Sequence, residues 1–470
     1  MSDAFPTVPA TEALEVVRGV TYDKASSSTA PVEGHVPILR AGNIADGQLD
    51  TSSDLVFVPP VFVREDQYLK PGDIVMATSS GSIAVVGKTG LLRVPWRGSF
   101  GAFCACLRPR PGWNPAFVAY YLQTLGIRRT LSECARGVNI NNLRRDHIES
   151  LHVPRATPDL QHRIVAVIET HFSRLEAAVA SLTRAKANVK RARASVLKAA
   201  VEGRLVPTEA ALARAEGRDY EPASVLLERI LAERQAAWVA SGARGKHKEP
   251  VAPETERLSE LPEGWCWASM DALAQVVGGI TKDSKQTSGR SVPYLRVANV
   301  QRGRLDLTEV KTITAPESKI EALRLQRGDV LLNEGGDRDK LGRGWIWQGE
   351  IAECIHQNHV FRARLWTPAF DSRYLSHYAN TEGDRYFLNE GKQTTNLASI
   401  SLSKVKALPV ALPPIAEIPR ILAEVDRRLS VLDALDESLD INLARCARLR
   451  QAVLKRAFES RLVPTSASVA

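Results

Sequence analysis

The chain lacks a run of about 18 apolar residues, so no membrane-spanning helix is expected. Met1 to Pro6 show no charged segment followed by an apolar one, which argues against secretion. The six cysteines (104, 106, 134, 266, 354 and 446) form no CxxC pair, and they read as reduced thiols of a cytoplasmic protein. No GxxxxGK[ST] loop is present to cradle a nucleotide phosphate, which argues against a motor ATPase. No HExxH or paired CxxC offers a zinc site.

Three weaker chemical patterns remain. Cys354, His356 and His359 lie close together, but without a fourth clustered ligand they suit a strand edge better than a metal. Asn114-Pro115-Ala116-Phe117 is similar to the Asn-Pro-Pro-aromatic motif of adenine methyltransferases. Its third residue differs, no glycine-rich cofactor loop precedes it, and a capped helix start explains Asn-Pro. Asp337, Asp339 and Lys340 could imitate a nuclease cluster, yet they sit in a glycine-rich loop rather than on a strand frame. No catalytic residue, metal or cofactor is therefore expected in this chain.

What is present is a duplication. Val36-Pro37-Ile38-Leu39-Arg40-Ala41-Gly42-Asn43-Ile44 returns as Val292-Pro293-Tyr294-Leu295-Arg296-Val297-Ala298-Asn299-Val300, 256 residues later. Gly72-Asp73 returns as Gly328-Asp329, and Leu205-Val206-Pro207-Thr208 returns as Leu462-Val463-Pro464-Thr465. Such a repeat implies approximate internal two-fold symmetry, for which duplex DNA is the obvious symmetric partner. At 470 residues the chain is too long for one core. Its net charge of +9 favours a polyanion without establishing one.

The first copy begins with short apolar runs broken by Gly, Pro and Asn, such as Ile74 to Met76, Ile83 to Val86 and Leu91 to Val94, which predict strands. Pro115 to Gln123 predicts a helix. After Pro158 there is no Gly or Pro between Leu160 and Glu202. Ile168, Phe172, Leu175, Val179, Leu182, Val189 and Val196 form a heptad seam interrupted by Lys186 and Arg193. The second copy has a matching seam from Val425 to Val453, interrupted by Asp436 and Arg450. The matched arginines either fix helix register or drift toward solvent on a straight helix. A connector separates the copies, with a helix over Pro222 to Ala240 and a flexible basic tether over Ser241 to Pro250. The expected fold is α+β: two similar mixed α/β domains separated by a pair of long antiparallel coiled-coil helices.

Two polar loops recur with altered side chains. The first carries Ser79, Ser80 and Lys88 in one copy, and Glu334, Arg338, Lys340 and Arg343 in the other. The second carries Arg136, Asn139 and Asn141, against Lys392, Gln393 and Thr394. Guanidinium, amide, hydroxyl and carboxylate groups are those that read base edges, although the same residues also populate ordinary turns. The long helices end in cations: Lys190, Arg191, Arg193 and Lys198, and Arg448, Arg450, Lys455 and Arg456. These suit phosphate contact, docking of acidic partner helices, or a solvated face.

Leu261-Pro262-Glu263-Gly264-Trp265, His356-Gln357-Asn358-His359-Val360-Phe361-Arg362, Leu412-Pro413-Pro414-Ile415 and the repeated Leu-Val-Pro exit resemble the specificity (S) subunits of type I restriction–modification systems. The first copy departs from the pattern by lacking the Leu-Pro-x-Gly-Trp opener, and Gly203 becomes Ser460 at the second exit. The resemblance implies a non-catalytic DNA-recognition subunit with target-recognition domains over 1–157 and 261–413, spacer helices over 158–207 and 414–464, and a connector over 208–260. It implies double-stranded DNA and two modification (M) subunits as partners. Those subunits would bring S-adenosylmethionine, and restriction (R) subunits, where present, would bring ATP and Mg. A self-contained methyltransferase or nuclease and a protein-interaction scaffold are the alternatives.

Overall fold

The computed structural model describes residues 5–45, 47–135, 141–242, 244–256, 258–282, 288–336, 341–390, 392–393 and 398–459. The chain divides into two compact units, residues 1–185 with 439–470, and residues 186–438. Both mix helices and strands, so the fold is α+β.

In the first unit, Leu14–Arg18 (β1), Ile74–Ala77 (β2), Thr89–Leu91 (β3) and Cys104–Pro109 (β4) lie in the order β1-β4-β2-β3, all antiparallel. Gly47–Leu49 and Ile44–Ala45 extend the β3 edge. In the second unit, Ala274–Val277 (β5), Val330–Asn333 (β6), Gly344–Ile346 (β7) and Val360–Leu365 (β8) repeat that order as β5-β8-β6-β7. The central strands are apolar without alternation because both sheet faces are covered. Ile74 and Met76 enter one core cluster and Val75 and Ala77 another. Val330 and Leu332 are likewise separated from Leu331.

The repeated sequence words are structural. Gly72 and Gly328 adopt φ of 96° and 93°, turns that admit an L side chain poorly, and each delivers an aspartate to the start of its central strand. Asp73 accepts the Lys70 amide at 2.8 Å, and Asp329 accepts the Gln326 amide at 2.7 Å. Asn43 and Asn299 are buried and accept the Arg40 and Arg296 amides at 2.8 and 2.9 Å, closing identical turns. The opening segments also match: Ala10 donates to the Leu151 carbonyl at 2.7 Å, and Met270 to that of Leu408 at 2.9 Å. Five residues before these amides stand Phe5 and Trp265, both packed on their unit's core. Phe5 thus takes the position of the opener tryptophan that the first copy lacks.

Helices form as their termini dictate. Pro115–Leu122 (α1) starts at Asn114, whose side chain accepts the Ala116 and Phe117 amides at 2.9 and 3.2 Å, so Asn-Pro here is a cap. Leu125–Cys134 (α2) follows, and Pro158–Val201 (α3) is the first long helix. Gly203, at φ 68°, ends α3, with Arg204 donating to the Ala199 carbonyl at 2.8 Å. Glu209–Glu216 (α4) and Ala223–Ala240 (α5) follow, and Ala223, Leu226 and Ile230 of α5 enter the core of the second unit. Ser372–Glu390 (α6) and Ile418–Phe458 (α7) complete the second copy. No helix among the described residues is long and apolar enough to cross a membrane.

The polar seam residues meet a facing helix while staying partly exposed. Within the second unit Lys186 lies 3.6 Å from Asp436, and Arg193 2.6 Å from Asp433, an antiparallel register. Within the first unit the Arg450 guanidinium stacks 3.8 Å above the Phe172 ring and lies 3.8 Å from Glu176.

Three local expectations change. Ile83 to Val86 is a turn, not a strand, because Val85 and Lys88 donate back to Ser82 and Val85 at 3.1 and 3.0 Å. The strand expected at Leu91 to Val94 ends at Leu91, and Val94 is exposed. The basic tether is held in part: Arg234 contacts His247 Nε2 at 2.9 Å and the Lys248 carbonyl at 2.7 Å, and the His247 ring meets Trp238 edge-on.

Candidate nucleic-acid interface

The two polar loops of each copy meet at the end of its central strand. In the first unit Ser79–Ser80 pairs antiparallel with Asn141–Asn142, Ser79 opposite Asn142 and Ser80 opposite Asn141. In the second, Gly335–Gly336 pairs with Ala398–Ser399, which also pairs with Lys392–Gln393. The returning limb of the first loop matches too. Ala77 donates to the Lys88 carbonyl at 2.9 Å, and Asn333 to that of Arg343 at 3.0 Å, so Lys88 and Arg343 are equivalent positions. Gly87 and Gly342 precede them at φ 75° and 62°, and a Cβ on Gly342 would fall 1.8 Å from Phe387.

A third loop completes each cluster, and sequence reasoning missed it. The Phe103 carbonyl accepts the Thr78 and Ser79 amides at 2.8 and 3.1 Å, while the Thr78 carbonyl accepts the Leu143 amide at 2.8 Å. In the second unit the His359 carbonyl accepts Glu334 at 2.9 Å, and the Glu334 carbonyl accepts Ile400 at 2.9 Å. Thr78 and Glu334 therefore clamp three loops together. The frame is common, but its side chains are not: Phe103 is 68% exposed, whereas His359 Nδ1 lies 2.5 Å from the Glu334 carboxylate. Only the neighbouring Cys104 and Val360, which open β4 and β8, hinted at the equivalence.

Arg128 is a second missed residue. Its guanidinium donates to the Val86 and Ala84 carbonyls, both at 3.0 Å, and pins the first loop to α2. Burial lowers its pKa, as expected for a cation that trades water for two backbone acceptors.

Ser79, Ser80 and Asn141 are half-exposed and share one ribbon, while Lys88 is exposed beside it. Glu334 is turned onto His359, and Arg343 is half-buried. Lys392 and Gln393 enter the ribbon of the second unit. Arg136, Asn139, Arg338, Lys340 and Thr394, together with Asp337 and Asp339, lie outside the described residues. On the long helices Lys190, Arg191, Lys198, Arg448, Lys455 and Arg456 are exposed, whereas Arg193 and Arg450 are engaged across the helix pair.

The Cys354–His356–His359 pattern does not converge. His356 is buried with Nδ1 2.6 Å from the Val360 carbonyl, and burial pushes its pKa down to about 4. The Cys354 thiol is pushed up to about 12 by burial. Among the described residues no group of three or more His, Cys, Asp or Glu could hold a metal ion.

No protein-family model matches the chain. The specificity subunit of the type I restriction enzyme EcoKI from Escherichia coli strain K12 is 27% identical over 465 residues, covering 98% of this chain and 90% of that protein. The specificity subunit of the StySPI enzyme from Salmonella potsdam is 27% identical over 467 residues with the same coverage. The relatives that cover nearly the whole chain are specificity subunits of type I restriction enzymes, the family that its sequence resembles. A specificity subunit is a non-catalytic component, so the self-contained methyltransferase or nuclease is not favoured. A solved chain from a study of complex assembly and conformational transition in a type I restriction–modification system superposes with a TM-score of 0.60 at 17% identity, covering 98% of each chain, and shares the fold.

Proposed function

We propose that this specificity subunit reads a bipartite, asymmetric DNA site, one half with each three-loop cluster. The observation that carries the reading is one loop frame built twice on the same strand order with different polar side chains. A duplicated frame gives pseudo-two-fold placement on a duplex, and unlike side chains give unlike half-sites. Helices α3 and α7 serve as an antiparallel coiled-coil spacer between target-recognition domains over 1–157 and 261–413, and dock two modification subunits. Those subunits supply S-adenosylmethionine, and restriction subunits, where the complex has them, supply ATP and Mg. The complex works in the cytoplasm.

Methylome sequencing of a host carrying the chain with its modification partner tests this. Replacing Ser79 or Asn141 with alanine alters one half of the methylated motif, and replacing Glu334 or Arg343 alters the other. Both halves changing together would overturn the arrangement.

A further inference from the structure

Phe103 is an unusual residue to leave in water. A phenyl side chain is worth about 1.5–3 kcal/mol when fully buried, and this one is 68% exposed. Its backbone is nonetheless fixed. The Phe103 carbonyl takes two amides, and Cys104 donates to the Gly101 carbonyl at 2.9 Å before entering β4 opposite Ala77. The ring is thus presented from a rigid turn at little entropic cost.

The surroundings specify the partner. The clamped loops carry the hydroxyls of Ser79 and Ser80 and the amides of Asn141 and Asn142. Ala102, its neighbour in the chain, lines a recess of about 440 Å³ with Arg18, Arg144, Arg145 and Asp146. One apolar ring among hydroxyls, amides and guanidinium groups is a poor match for an apolar protein face. It suits the major-groove edge of an A·T pair, where an amide pairs with adenine and the thymine C5-methyl is the apolar feature. At the equivalent position of the second unit His359 offers a polar group held to Glu334. The two clusters therefore differ in whether they carry an apolar probe on the third loop.

We infer that Phe103 determines specificity in the first half-site by packing against the C5-methyl group of a thymine, and that His359 with Glu334 is its polar counterpart in the second. This rests on the DNA-reading role proposed above. The test uses the full chain assembled with its modification subunits and duplexes carrying the motif mapped in the host, with each thymine replaced singly by deoxyuridine. Binding is followed by fluorescence anisotropy. For the wild-type complex one replacement in the first half weakens binding about fourfold, the worth of one buried methyl group. In Phe103→Ala that replacement changes nothing further, whereas Phe103→Leu, which keeps apolar contact, retains part of the discrimination. Equal deoxyuridine effects in wild type and both variants, no effect at any position in wild type, or a first half-site without an A·T pair would each overturn the inference. If Ser79→Ala and Asn141→Ala still shift the first half of the motif in those cases, the DNA-reading role stands and only the assignment of Phe103 falls.

Discussion

Arg108 grips Asp73 with both arms, Nε to Oδ1 at 2.9 Å and Nη2 to Oδ2 at 2.8 Å, and Arg364 does the same to Asp329 at 2.7 and 2.7 Å. Asp73 and Asp329 are buried, at the starts of β2 and β6. Each aspartate also caps the turn before its strand, so the pair joins the turn, the central strand and its neighbour. The loops that carry the candidate interface leave the opposite ends of these strands.

Removing the buried aspartate leaves a half-buried arginine without its counter-charge. Asp73→Ala and Asp329→Ala should each cost on the order of 3 kcal/mol. The Asp73→Ala/Arg108→Met double variant should recover much of that loss, since the uncompensated charge is gone. Urea unfolding of the three variants checks this. A double variant no more stable than Asp73→Ala would contradict it.

Gly203 and Trp265 form a second coupled pair. A Cβ on Gly203 would lie 2.6 Å from Pro262 Cγ and 2.9 Å from Trp265 Cζ2, and the residue sits at φ 68°. The repeat places Ser460 against Gly203 in sequence. Gly203→Ser should therefore destabilise the protein by about 2 kcal/mol. Adding Trp265→Phe should cost less in that background than alone, with a coupling of at least about 0.5 kcal/mol. Strict additivity of the measured unfolding energies would show that the ring and the Cβ do not compete.

His356 supplies an acid sensitivity that its counterpart in the first unit does not, because the equivalent position holds the buried Phe100. Burial holds the His356 pKa at about 4. An unfolded histidine titrates near 6.5. Between those values the unfolded chain binds a proton that the folded chain refuses, so stability is intact above about 6.5 and falls as pH drops toward 4. Thermal unfolding across this window should show a shallower acid loss in His356→Phe than in wild type. Parallel curves would mean that His356 accepts its proton in the folded state.

The frame was largely legible in the sequence because its words are backbone devices. The Gly-Asp turns, the buried asparagines and the Asn114 cap each need one residue type, so they survive as letters. The polar heptad interruptions at Lys186, Arg193, Asp436 and Arg450 were visible, but whether they met a helix or drifted outward depended on packing. The third loop was not legible. Its shared feature is a carbonyl oxygen, which every residue has, and Phe103 and His359 have no side-chain chemistry in common. Ile83 to Val86 misled because an apolar run resembles a strand whether or not a neighbouring strand is there to pair with it.

Arg128 touches the first loop only through carbonyl oxygens, so its role is positioning. Arg128→Ala should blur recognition of the first half-site while leaving the second half sharp and the salt dependence of binding unchanged, because every phosphate keeps its cation. Arg128→Lys should restore little, since one ammonium does not reproduce the guanidinium fork on two carbonyls. Methylome sequencing and binding at several salt concentrations test this together. A reduced salt slope would make Arg128 a phosphate ligand instead.

The cations of the long helices should separate by where they point. Lys190, Lys198, Lys455 and Arg456 are exposed, whereas Arg450 lies over Phe172. Neutralising Lys190 and Lys198 together should flatten the dependence of DNA affinity on salt by about 0.9 for each phosphate left without its cation, with no change in the methylated motif. Arg450→Ala should leave that slope alone and instead destabilise the helix pair by about 1–2 kcal/mol, the worth of a partly desolvated guanidinium on an aromatic face. Arg450→Met should also be milder than Arg450→Ala, because an unbranched aliphatic stem still covers the ring. If Arg450→Ala lowers the salt slope while the unfolding energy is unchanged, the residue binds phosphate and the seam assignment is wrong.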